Sequence, residues 1–192
     1  MAIELVSGPR RLRFGLPGGP ELWISARARP PFDVDAFVIE EDTYLVSSAP
    51  NELPTVAEPA IRVMTAALDV EPCAVGSVVV RRGAPHRLLA IVHDFDAEPS
   101  CDVDAVRRAL SSALVASESL GARSLALPLL GMAPRVLSLE ASSVLVAEAL
   151  EAGAAEHLHR VWLVVSEEHQ RTASGWFHAR HGRKEQAREP EA

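Results

Sequence analysis

Leu125-Ala126-Leu127 runs into Pro128, Gly131 follows shortly after, and Ser138 stands where a helix would begin. An apolar run, then two breakers, then a cap residue ahead of a helical pattern gives the strand-loop-helix junction of an α/β sheet. Open sheets of this class hold their ligands outside the carboxyl ends of the strands, where helix N-termini offer unpaired N–H groups to anions. Residues 128–141 are therefore the first place to look for a site.

The remaining pattern fits the same class. Arg11 to Phe14 and Leu22 to Ser25 flank the turn-rich Leu16-Pro17-Gly18-Gly19-Pro20, which predicts a hairpin. Arg29-Pro30-Pro31 breaks the chain before a strand at Ala36 to Glu40, and Asn51 to Pro54 is a loop. Val56 to Leu68 reads as a helix with Pro59 in its first turn. Ser77 to Arg81 and Leu88 to His93, on either side of Gly83-Ala84-Pro85, form an antiparallel pair. Val103 to Leu120 carries an apolar stripe of Val103, Val106, Leu110, Ala113, Leu114 and Leu120, with Asp102 to cap its start and Gly121 its end. A strand at Ser124 to Leu127, a helix from Leu139 to Leu150 closed by Gly153, a strand at Val161 to Val165 and a last helix from near Glu167 follow. The alternation predicts a three-layer α/β/α sandwich with a mixed central sheet. We expect a hairpin extension over 1–33 packed on a domain spanning 34–182, then a charged tail over 183–192.

Charge narrows the partners. With 19 basic against 26 acidic side chains the net charge is −7, which disfavours nucleic-acid backbone and anionic membranes. Lys184 is the single lysine. Arginine pairs with phosphate in a fork, but the Arg and Ala abundance also fits a base-composition bias. Cys73 and Cys101 have neither metal spacing nor a disulfide framework, no leader is expected at Met1-Ala2-Ile3-Glu4, and no apolar run approaches the ~20 residues of a membrane span. A cytoplasmic location is the expectation.

Pro128 to Ala141 resembles the second ligand loop of the macro domain, the ADP-ribose-binding module. That family follows its Pro with two apolar residues, a Gly or Ser, then Thr-Gly and a further Gly. Here Met132, Ala133 and Val136 occupy the Thr and later Gly positions. Val34-Asp35-Ala36-Phe37-Val38 is similar to the strand leading to the family's Asn-Ala-Ala-Asn, with Ile39 and Asp42 in place of the two Asn. Cys73-Ala74-Val75-Gly76 resembles its Cys-x-x-Gly, Leu88 to His93 its strand ending in Ile-His, and Val161 to Val165 its last strand. The resemblance covers residues 34 to 180 and implies the macro-domain fold. The family's adenine-recognising Gly-Asp has no counterpart in Arg27-Ala28-Arg29-Pro30, and its glycine run has none between Leu45 and Pro54.

The candidate site residues each have two readings. Asp42, with Glu41 or Glu40, reads as a ribose-hydroxyl acceptor or general base on water, or as a solvated acidic loop; a carboxylate accepts from a diol but cannot donate as an Asn amide does. His93 reads as a proton carrier or a packing histidine, and Phe95 as a stacking platform, with Asp94 or Asp96 as further ligands. In the Gly131, Met132, Ala133 and Arg135 loop, phosphate binding needs inward N–H groups and close approach, yet Pro134 has no N–H and Met132 and Val136 add bulk. Arg135 supplies a compensating cation or points to solvent. His157-x-His159 and His178-x-x-His181 lack a third ligand, so no metal and no cofactor is assigned. Ser47-Ser48 and Ser142-Ser143 lack a nucleophile-elbow context, and Trp162 is most simply packing.

These readings leave a module binding ADP-ribose or a related nucleotide or ribose metabolite at a divergent, non-catalytic site. The alternative is a degenerate macro fold serving as an interaction or assembly module, with a homo-oligomer open. A third reading is a hydrolase of ADP-ribosyl-type bonds using Asp42 or Glu41 to activate water.

Overall fold

From Leu88 to Val92 every residue is fully buried, with no alternation. That is the signature of a strand covered on both faces, as parallel sheets require. The computed structural model describes residues 12–15, 19–47, 71–132, 136–153 and 156–186. Strands β1 (Leu12–Gly15), β2 (Glu21–Ala26), β3 (Ala36–Asp42), β4 (Val78–Arg81), β5 (His86–His93), β6 (Ser124–Pro128) and β7 (Arg160–Val165) form one sheet. Its order is β1-β2-β7-β6-β3-β5-β4. From β2 to β5 all neighbours are parallel, and β1 and β4 close the edges antiparallel. The sheet is mixed, as the sequence predicts.

The hairpin β1–β2 is not an appendage: Leu22 and Ile24 sit fully buried, and β2 runs in register with β7 from Glu21↔Arg160 to Ala26↔Val165. Three helices follow, α1 (Val103–Ser119), α2 (Leu139–Ala152) and α3 (Gln170–Gln186). α1 packs on β5 and β4, α3 on β2 and β1, and α2 bridges the two helices. The helix expected at Val56 to Leu68 lies outside the described residues.

Local chemistry fixes the helix ends. Asp102 Oδ1 accepts from Ala105 N at 2.6 Å, and Ser138 Oγ accepts from Ala141 N at 3.1 Å. Gly121 (φ +66°) closes α1, its N–H reaching Glu118 O and that of Ala122 reaching Ser117 O, the paired bonds of a Schellman end. Gly153, by contrast, caps α2 with φ −76° and is not left-handed. The buried face of α1 is Ala105, Val106, Ala109, Leu110 and Ala113, whereas Val103, expected in the stripe, is 41% exposed in the first turn. Small residues bring the helix axis close to the sheet. α3 runs to Gln186, past the point where a tail was expected.

At the amino ends of the strands Asp35 Oδ2 accepts from Arg123 N, Ser124 N and Ser124 Oγ, which pins β3 to β6. A Cβ at Gly121 would meet nothing within 4 Å, so substitution there tests backbone conformation alone. Gly121→Ala should cost about 1 kcal/mol in urea unfolding, the left-handed penalty less the reduced entropy of the unfolded chain. Gly121→Asn should lose less, because Asn tolerates that region.

Candidate functional site

β3 and β6 pair only at Ala36↔Leu125 and Phe37↔Ala126. Beyond those residues the ladder stops while both strands continue. The chain leaves β3 toward β4 and β5 on one side and leaves β6 through α2 toward β7 on the other, so the strands part at a topological switch point. In such sheets that crevice is where a ligand sits.

Glu40 stands in it. Its Oε1 lies 2.6 Å from Nε2 of His93 at the end of β5, and its Oε2 accepts the N–H of Gly131, in the loop after β6, at 3.0 Å. The His93 side chain is 9% exposed and that of Glu40 18%. A register shift places them together: Glu41 pairs with Ile91 but Asp42 with His93, so β5 holds an extra residue there. One inserted residue turns the following side chain to the other face, and here it brings the His93 ring to Glu40. Gly131 has φ +78°, and a Cβ there would lie 2.9 Å from Leu137 Cδ1 and 3.0 Å from Val106 Cγ2. Glycine lets the loop settle on α1 and turns the N–H toward Glu40.

The next two carboxylates turn inward. Glu41 is fully buried, with Oε1 accepting from Asp42 N at 3.0 Å and Ser47 N at 2.8 Å. Asp42, also fully buried, accepts from Tyr44 N at 2.8 Å, Val46 N at 3.1 Å, Ser47 N at 2.7 Å and Ser47 Oγ at 2.6 Å. Burial pushes the Asp42 carboxyl up, but the bonds from Ser47 and Tyr44 outweigh it and hold the group below the usual carboxylate range. Both oxygens of Asp42 thus face their own loop. Cys101 is 2% exposed, and burial, then the Glu40 and Asp102 charges, push its thiol up to about 11.

Phe95 is 57% exposed in a loop closed by Asp94 N to Ser100 O at 2.6 Å. Tyr44 OH donates to Asp96 Oδ2 at 2.5 Å, tying that loop to the one after β3. Met132 packs against the core. Ala133, Arg135 and Pro134 lie outside the described residues. The structure therefore gathers Glu40, His93 and Gly131, places Phe95 on the same rim, and sets Asp42 into a turn. The sequence names Glu40 only within an acidic run; its bridging role carries no local signal. Ser47 serves Asp42, Ser142 Oγ donates to Leu130 O at 2.9 Å, and His157 pairs with Glu118 at 3.0 Å. Trp162 Nε1 donates to Ser25 O at 3.3 Å. Among the described residues no group of three or more His, Cys, Asp or Glu side chains is placed to hold a metal ion, and no helix is long and apolar enough to cross a membrane.

No family model and no curated protein matches this sequence. Solved structures do resemble it. An Oceanobacillus iheyensis macrodomain with ADP superposes at TM-score 0.67 and 12% identity, over 91% of this chain and 98% of that one. The macro domain of ganglioside induced differentiation associated protein 2 gives 0.59 at 12% identity, over 83% of each chain. The macrodomain of Thermus aquaticus DarG gives 0.55 at 21% identity, over 77% of this chain and 99% of that one. The fold is that of the macrodomains.

Replacing Asp42 by Asn leaves one acceptor oxygen where two are used and sets an amide against N–H donors. We expect Asp42→Asn to lower stability by about 3 kcal/mol at neutral pH. Because the folded-state carboxyl titrates below its ordinary value of 3.8, the wild-type advantage is full above that value and fades as pH falls through the depressed one. Urea titrations of both proteins at a series of pH values read this directly.

Proposed function

We propose, from the macrodomain fold as premise, that this chain is a non-catalytic binding module for a ribose-bearing ligand without a diphosphate, a nucleoside or ribose metabolite. The observation that carries the reading is Glu40: its carboxylate accepts the Gly131 N–H that a loop of this kind would otherwise offer to phosphate. Asp42, its carboxyl held below the usual range, adds negative charge behind it. A carboxylate and a phosphate about 8 Å apart repel by about 2 kcal/mol at an effective dielectric near 20. A neutral ligand avoids that cost.

In this reading Glu40 and His93 receive the ribose hydroxyls, one as acceptor and the other through its ring nitrogen. Phe95 provides a face for a base, and Gly131 and Met132 line the far wall. Asp42 and Glu41 shape the loop after β3. Proton transfer by Asp42 is disfavoured because its lone pairs are engaged and its carboxyl is held below the usual range, whereas a general base needs one nearer neutrality. A fold neighbour solved with ADP supports a nucleotide-derived ligand for this chain.

A second reading, an interaction or assembly module, is favoured by a separate observation. Phe95, Val103 and Val136 are 57%, 41% and 36% exposed on segments that follow the carboxyl ends of β5 and β6. Apolar side chains left on one rim suit a protein contact.

Calorimetry with adenosine, AMP, NAD and ADP-ribose separates the two. The expected result is heat from adenosine at millimolar concentration or below and none from ADP-ribose. Glu40→Ala frees the Gly131 N–H and removes a charge, so ADP-ribose affinity should rise at least about tenfold while adenosine weakens. Tighter binding of ADP-ribose than adenosine by the wild type overturns the proposal. Silence from all four, with self-association in light scattering that Phe95→Asp abolishes, establishes the second reading instead.

A further inference from the structure

Away from the crevice, an open groove of about 510 Å3 lies between the turn Val75-Gly76-Ser77 that leads into β4 and the middle of α1. Arg107, Arg108, Ser111 and Ser112 line its helical side. Two adjacent arginines facing one cavity are unexpected in a chain of net charge −7. They are not equivalent. Arg107 is engaged by Asp104 at 2.6 Å and by Glu148 at 3.9 Å, whereas Arg108 has no carboxylate partner among the described residues.

Arg108 is also held in place. Gly76, at φ +87°, approaches its stem so closely that a Cβ on the glycine would lie 2.6 Å from Arg108 Cβ and 2.7 Å from its Nε. That turn is itself anchored: Gly76 N donates to Ile91 O at 2.7 Å, Ser77 N to Ala74 O at 3.0 Å, and Ser112 Oγ to Gly76 O at 2.9 Å. A long side chain ordinarily loses considerable rotamer freedom on binding, and here the turn has already restricted it. Ser77 and Ser111 add hydroxyls to the same groove, so a fork of guanidinium donors sits beside neutral donors.

We propose that this groove is an anion site for the phosphate group of a small phosphomonoester, with Arg108 as its principal ligand. The guanidinium fork matches two phosphate oxygens, and Ser77 and Ser111 donate to the remaining ones. The open side leaves room for the organic part of the ester to extend along Val75 toward solvent. The proposal is independent of the strand-end crevice and requires nothing of Glu40.

Chemical-shift titration of the isotope-labelled protein with glycerol 3-phosphate, inorganic phosphate and sulfate tests it. Saturable shifts of the Gly76 and Ser77 amides and of the Arg108 Nε–H are expected with glycerol 3-phosphate, in the millimolar range because the site is open to water. Arg108→Gln should weaken binding by about tenfold or more, and Arg108→Lys, which keeps the charge but not the fork, by less. The Gly76 and Ser77 amides report the groove, whereas binding in the crevice shifts the Gly131 amide, so a failed crevice reading and a failed groove reading give different results. Equal response to the ester and to inorganic phosphate reassigns the ligand to free phosphate and overturns the monoester assignment. Sulfate binding as strongly as either phosphate, or shifts that persist in folded Arg108→Gln, overturns the site.

Discussion

The carboxylate of Glu40 ties β3 and the end of β5, which the ladder already pairs, to the loop after β6, which it does not reach. Parallel pairing between β3 and β6 ends at Phe37 and Ala126, and past that point the switch of chain direction separates them. A gap there would leave a backbone N–H and an imidazole facing a narrow crevice. Glu40 satisfies both, at 3.0 Å and 2.6 Å. Hydrogen bonds to a charged group contribute roughly 1.5–3 kcal/mol each, against the cost of partly desolvating the carboxylate. The positive φ of Gly131, the extra residue in β5 and the approach of α1 through Val106 all serve this contact.

The same device recurs one and two residues later. Backbone N–H groups of Tyr44, Val46 and Ser47 converge on Asp42 and Glu41 as they would on an external anion. Leu45 takes φ +59° to make that convergence, a conformation unfavourable for a branched side chain and retained because the carboxylates fix the loop around it. Three successive acids thus have different fates along one strand end. Glu40 bridges strands, Glu41 is enclosed, and Asp42 organises a turn.

How much of this was legible depended on range. Asp102, Gly121 and Ser138 announced helix ends because a cap acts on residues three or four away, and the apolar runs of β5 and β6 announced buried strands. The sheet order carries no local signal, since pairing of β2 with β7 joins residues far apart in the chain. The crevice was visible as a place but not as a set of contacts. An ungapped count puts Asp42 at an Asn position and implies a ligand role, but hydrogen-bond partners five residues ahead decide where its oxygens point. The irregularity at Glu41/Asp42 leaves no mark in composition, and it determines which side of the sheet His93 occupies. Nothing in the sequence sets Arg108 apart from the other arginines; the approach of Gly76 to its stem does.

Cys101 carries a last consequence. A thiol held near 11 by burial and by the Glu40 and Asp102 charges stays protonated, and only the thiolate attacks electrophiles. While the strand ends stay closed, alkylating reagents find no nucleophile there. Once Glu40 and the segment before α1 separate, the sulfur regains solvent and its ordinary acidity. The rate at which Cys101 is modified therefore measures how often this part of the molecule opens, and the protein carries its own clock for local unfolding at the crevice.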